Sequence, residues 1–320
     1  MNNTSATAVP RLRATSPSDV LASAAALLGF RPVESVVVVA LESSIIQFAC
    51  RLDVGWFADD EPGVAEMQAA LRQFPDVRLM LLGYSQHTWL VRHSLAQLHL
   101  LLCDYPVIDV LHTDERRWWS LLCHDECCPP EGRPYDFAAT ALASQAVFEG
   151  IDISCDRDDI VTAVAGPGEP DLDALNETFL AVARRVAALL PRQRFSEALD
   201  VIDAFRAQRW TLTTDEIARL CIELDSEDVW PVVLMSVRRH DAASFVDLLR
   251  QLVAGCVPDF AATVVGLLGM AAWLAGGGAL MTACAQRLEL LEPCHPLFLM
   301  LLEIRQDGLP PSRWGPADAR

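Results

Sequence analysis

Between Cys123 and Cys128 the chain reads CHDECC: three thiols, an imidazole and two carboxylates in six consecutive residues, preceded by Trp118-Trp119 and followed by Pro129-Pro130. Cys123, His124, Cys127 and Cys128 are all donors that zinc accepts, and Cys123 and Cys127 have the spacing of one half of a structural zinc site. The other half is usually a second spaced pair, and no C-x-x-C or H-x3-H occurs to supply it. Cys103, Cys155 or His112 would have to approach in the fold.

The same thiols suit two other chemistries. A disulfide from Cys123 to Cys127 or Cys128 would close in response to oxidant, whereas a Cys127–Cys128 bond needs a distorted peptide. A single activated nucleophile needs a base and a lowered thiol pKa. His124 is a sequence neighbour and so points elsewhere, and His87, His93 and His112 lie upstream. The plainest expectation is mechanical. Pro129-Pro130 and Gly132 fix a turn, the thiols fill small apolar gaps, one tryptophan ring enters the core and the other covers the loop.

A second cluster lies at the end of an apolar run, in "GYSQH" from Gly83, where α/β proteins place ligands at the carboxyl ends of strands. Tyr84, Ser85 and His87 are candidates there, with Arg31 and Glu34 from "LLGFRPVES" at the neighbouring junction. Arg31 and Glu34 read either as a buried ion pair or, for Arg31, as an anion site. Ser85 has no G-x-S-x-G around it. P-loop, G-x-G-x-x-G and HExxH patterns do not occur.

The elements that must position these residues are legible in the pattern. Ser16 caps a helix beginning at Pro17, Asp19 favours its dipole and Gly29 closes it. "ESVVVVAL" is a strand buried on both faces, and "IIQFACRLDV" is its antiparallel neighbour across Glu42-Ser43-Ser44. "GVAEMQAALRQF" is helical, "VRLMLLGYS" a strand, "HTWLVRHSLAQLHLLLCDY" a helix that carries His93 and His99, and "VIDVLHT" a strand with "RRWWSLLC" returning beside it. This alternation predicts an α/β domain with a mixed sheet over residues 15–165, after a flexible N-terminus at 1–14. "AGPGEPD", from Ala165, is a domain joint. From there the periodicity is helical throughout, giving an all-α, helical-hairpin, tetratricopeptide-like domain over 171–306 and a tail over 307–320.

Bulk properties narrow the function classes. With 320 residues, 52% of them hydrophobic and 21% charged, the chain is long enough for two packed units and has a core-former's balance. Its longest apolar run, "FAATVVGLLGMAAWLAGGGALM", is broken by three glycines and reads as a buried hairpin rather than a membrane span. The first twenty residues do not read as a secretory signal, so the ten cysteines are expected as free thiols in the cytoplasm. All 25 basic residues are arginine, a codon-driven bias of a GC-rich bacterial genome, and the net charge is −18. That field, with arginines scattered even in "ARRVAALLPRQRF", argues against nucleic acid as a partner.

Three stretches together, "SPSDVLASAAALLGFRPVESVVVV", "RWWSLLCHDECCPPEGRPYD" and "LLGMAAWLAGGGALMTACAQRLELLEP", resemble the actinobacterial proteins grouped as domain-of-unknown-function family 4192. The likeness follows the family's order over nearly the whole chain, and the cysteine loop is its most specific part. The chain departs at Ala25-Ala26, where an aromatic or proline is common, and at His124-Asp125-Glu126. The resemblance implies fold and lineage; it carries no catalytic residue with it.

The expected function is a cytosolic bacterial protein-interaction or regulatory module whose helical hairpins offer a groove to a partner protein. A small-molecule ligand at the strand ends is compatible with it. The alternative is an enzyme, a hydrolase or thiol-dependent redox protein, with its site at the strand ends near the cysteine loop. A structural zinc-binding loop is the third reading. Zinc apart, no cofactor is expected, and neither is a membrane.

Overall fold

The computed structural model describes residues 12–58, 62–149, 151, 153–189 and 191–315. Most of the N-terminal segment expected to be flexible, the end of the C-terminal tail and part of the arginine-rich stretch lie outside these residues. The chain divides into two units, one through Arg157 and one from Asp158.

The first unit opens with α1 (Pro17–Leu28). Ser16 Oγ accepts the Asp19 N–H, Pro17 occupies the first helical position, and Gly29 closes the helix at φ 79°. Strands β1 (Ser35–Glu42) and β2 (Ile45–Asp53) form an antiparallel hairpin. Its two turn residues, Ser43 and Ser44, both have positive φ, the geometry that matches strand twist. Helix α2 (Pro62–Arg72), strand β3 (Arg78–Tyr84), helix α3 (Thr88–Leu101) and strand β4 (Val107–Thr113) follow. Strands β5 (Arg117–Ser120) and β6 (Arg133–Pro134) complete a sheet in the order β2-β1-β3-β4-β5-β6. Only β3 and β4 run parallel, as a crossover through α3 requires; every other pair is antiparallel. The unit is therefore α/β with a mixed sheet.

Strand β1 explains why its run of valines is uninterrupted. Val36 and Val38 enter the core beneath α2 and α3, while Val37 and Val39 enter the core beneath α1. Each buried valine contributes about 1.5–3 kcal/mol, so neither face tolerates a polar residue. Helix α3 lies on β3 at close range. A Cβ at Gly83 would stand 2.5 Å from Val91 Cγ2 and 2.8 Å from Leu95 Cδ1. After β6, helix α4 (Ala141–Phe148) packs on α1 through Ala143 and Ala146.

The second unit begins with α5 (Arg157–Ala163), which the sequence pattern did not reveal, and continues through α6 (Glu169–Ala187), α7 (Pro191–Ala207), α8 (Thr214–Leu224), α9 (Trp230–Ser236) and α10 (Ala242–Gly255). Helices α11 (Ala261–Leu274), α12 (Gly278–Leu291) and α13 (Pro296–Asp307) end it. Its described residues hold no strand. Val182 and Val186 of α6 face the core while Arg184 and Arg185 are exposed, as an amphipathic face requires.

Helix α11 is buried all round, from Thr263 through Leu274. At about 1.5 Å per residue its 14 residues fall well short of a bilayer. No helix among the described residues is long and apolar enough to cross a membrane. Gly276, at φ 84°, turns the chain so that α12 packs back on α11. Beyond α13 the tail stays packed through residue 314. Trp273 Nε1 donates to the Leu309 carbonyl at 2.9 Å, and Trp314 Nε1 donates to the Val237 carbonyl at 3.3 Å.

Candidate functional site: a knuckle of three sulfurs

The CHDECC loop hangs between β5 and β6, and side chains near its two ends shape it. Ser120 Oγ donates to Asp109 Oδ1 at 2.7 Å and accepts the N–H groups of Leu122 and Cys123, which turns the chain sharply out of β5. At the far end Arg133 donates to the carbonyls of Cys127 and Glu126, and Arg117 donates to those of Gly132 and Glu131. The Cys128 N–H closes on the Asp125 carbonyl at 2.8 Å. Two guanidinium groups thus gather four loop carbonyls, and main-chain groups that would otherwise face water are satisfied.

The two tryptophans take opposite sides. Trp118 is buried in the core beneath α1. Trp119 lies against Gly132 and donates its Nε1–H to the Pro130 carbonyl at 3.1 Å. A Cβ at Gly132 would sit 2.4 Å from Trp119 Cε2, and this glycine has φ 78°, so both space and backbone exclude a side chain.

The outcome is convergence of the thiols. Cys123 Sγ and Cys127 Sγ are 3.4 Å apart, Cys127 Sγ and Cys128 Sγ are 3.8 Å apart, and all three lie within 4.8 Å of one another. Cys127 is exposed; Cys123 and Cys128 are half-buried, Cys128 against the core beneath α1. His124 is exposed and lies outside this group of donors. The N–H of Asp125 and the neighbouring thiols hold the Cys123 thiol below its ordinary pKa. Burial, followed by the two neighbouring sulfurs, pushes the Cys128 thiol up to about 12.

Four tetrahedral zinc–sulfur bonds of 2.3 Å would place their sulfurs about 3.8 Å apart, so the observed separations fit a soft cation. A hard cation such as magnesium or calcium would want oxygen ligands instead.

The strand-end candidates do not assemble as one pocket. Glu34, Ser85 and His87 are brought together. Ser85 Oγ donates to Glu34 Oε2 at 2.7 Å and accepts the His87 N–H at 2.9 Å, while Glu34 sits at φ 44°. Ser85 is buried and its hydroxyl is engaged on both sides. The His87 side chain is exposed and makes no capping bond to α3. Tyr84 leaves this group: its hydroxyl donates to the Leu21 carbonyl of α1 at 2.7 Å. Arg31 stacks over the Phe137 ring at 4.7 Å and forms no ion pair with Glu34.

Further polar features lie on β4, beside α1 and in the second unit. His112, on β4, is 1% exposed and neither ring nitrogen has a hydrogen-bond partner among the described residues. Burial, with a smaller push from Arg92 and an opposing pull from Asp114, lowers its pKa to about 4. Trp119 meets it edge-on at 4.7 Å. A cleft of about 490 Å³ beside the α1 N-terminus is bordered by Thr15, Ser18, Tyr135, Asp136 and Thr140, with Asp19 also on its wall. In the second unit Thr263 donates to Asp225 Oδ1 at 3.0 Å and lies 3.2 Å from His295 Nε2.

The family described as domain of unknown function DUF4192 matches residues 17–312, both units and the knuckle included. The chain belongs to this family. No curated protein and no solved structure matches it. The description of DUF4192 gives no activity.

Proposed function

We propose that this DUF4192 protein is a regulatory metal-binding module, in which Cys123, Cys127 and Cys128 hold one zinc ion. The observation that carries the reading is the convergence of three sulfurs at separations suited to zinc. Three thiolates on a divalent cation leave one net negative charge, and the Arg133 guanidinium, bonded to the Cys127 and Glu126 carbonyls, stands beside it. The site has three donors rather than four, so a water or an outside donor completes the coordination. A reducing compartment would keep Cys123, Cys127 and Cys128 as the thiols that zinc takes up. The helical unit supplies the surface that a protein partner would read. A serine hydrolase is disfavoured, because Ser85 is buried and its hydroxyl is engaged with Glu34 and His87.

Metal analysis of full-length protein purified under reducing conditions tests the reading. About one zinc per chain is expected, with loss of the ion in Cys123→Ser and Cys127→Ser. A folded protein that takes up no zinc on reconstitution would overturn it.

A further inference from the structure

The three sulfurs also stand where oxidation would join two of them. Cys123 Sγ and Cys127 Sγ are in non-bonded contact at 3.4 Å, and a disulfide needs about 2.0 Å. The intervening residues His124, Asp125 and Glu126 are all exposed, so core packing does not hold the segment that must tighten. Cys128 differs on both counts. It packs against the core beneath α1, and its bond to Cys127 would put a distorted peptide inside a vicinal ring.

We propose that Cys123 and Cys127 are a modification site for hydroperoxides, closing to a disulfide and releasing the bound metal. The release rests on the zinc reading above; the disulfide does not. One of the two sulfurs, as thiolate, attacks an oxygen of hydrogen peroxide. The O–O bond breaks, an S–O bond forms, and the departing hydroxide takes up the proton that the thiol lost. The second sulfur attacks this sulfenic acid, the S–O bond breaks, the S–S bond forms, and hydroxide leaves with the second thiol's proton as water. Two thiols and one peroxide give one disulfide and two waters, with two electrons passing from sulfur to oxygen. Zinc retains Cys128 as its one protein ligand, too few to hold it.

The test uses full-length protein, reduced, in metal-free and zinc-loaded forms, titrated with hydrogen peroxide. Peptide mapping reads the disulfide and a chromogenic chelator reads the zinc. The expected product is a Cys123–Cys127 bond that forms roughly tenfold faster than oxidation of exposed Cys103 or Cys294. It disappears in Cys123→Ser and in Cys127→Ser, and zinc appears in step with it. Mapping of the wild-type chain decides the matter even if a variant fails to fold. A different disulfide, or oxidation to sulfinic acid without any disulfide, would overturn the proposal. A disulfide in a protein that never bound zinc keeps the redox site and removes the zinc reading. Retained zinc and a reduced pair after peroxide would do the reverse.

Discussion

The Asp19 carboxylate accepts the backbone N–H of Leu142, 123 residues away, through Oδ1 at 3.1 Å. Its other oxygen accepts the N–H and the hydroxyl of Thr15. Asp19 belongs to the first turn of α1 and Leu142 to the first turn of α4, so one buried anion serves the starts of two helices. The wall of the neighbouring cleft thus already carries the negative charge that such helix ends favour. Burial works against the charge, but the hydrogen bonds from Thr15, Leu142 and Ser16 outweigh it and hold Asp19 below its usual 3.8.

Asp19→Asn keeps the shape and removes the charge. It is expected to cost about 1–3 kcal/mol in urea unfolding at neutral pH. Because the folded pKa lies below the unfolded one, this stabilisation is complete above pH 3.8 and is lost as pH falls through the folded value. The acid limb of the stability curve should be shallower in the variant; an unchanged limb would reject the assignment.

His112 sets a second pH window. Its folded pKa of about 4 lies below the model-compound 6.5, so the folded state keeps the ring neutral where the unfolded chain would protonate it. Stability is full above pH 6.5 and declines as pH falls toward 4, by up to about 3 kcal/mol. His112→Leu should flatten the decline between pH 6.5 and 4, measured as denaturant midpoints.

Gly132→Ala forces a Cβ into Trp119 at a backbone angle that L residues avoid. A loss of roughly 2 kcal/mol or more is expected, together with weaker zinc uptake. Gly276→Ala is the control, since it has a similar φ and open space around it. Equal losses in the two variants would show that the tryptophan contact contributes nothing.

In the helical unit Thr263 joins Asp225 at the end of α8 to His295 at the start of α13. Thr263→Val is nearly isosteric and leaves both partners short of a hydrogen bond, at a cost of about 1–3 kcal/mol. Burial holds His295 below its ordinary pKa, with Glu292 and Asp225 pulling the other way. The wild-type unit should therefore lose stability as pH drops below 6.5. A melting temperature unaffected by Thr263→Val would remove the chain of bonds from the account.

What the sequence made legible was local. The Ser16–Pro17–Gly29 frame of α1, the double-faced valines of β1 and the serine turn before β2 each follow from chemistry within a few residues. The fold class was readable for the same reason. The knuckle was only half readable. Spacing named its donors, yet neighbouring side chains ordinarily diverge, and the groups that gather them are Arg117, Arg133 and Ser120 acting on loop main chain. The strand-end pocket came apart because strand alternation sends Tyr84 to α1 while Ser85 turns to Glu34. Asp19 looked like a dipole partner of its own helix; its bond to Leu142 depends on a contact that no short window of sequence contains.

Strand β6 is two residues long and ends in Pro134, which has no amide hydrogen. It offers an incoming chain almost nothing to zip against, so that border of the sheet is blunted against strand addition and fibril growth. The opposite border, β2, is nine residues long, so this blunting belongs to the thiol-bearing border alone.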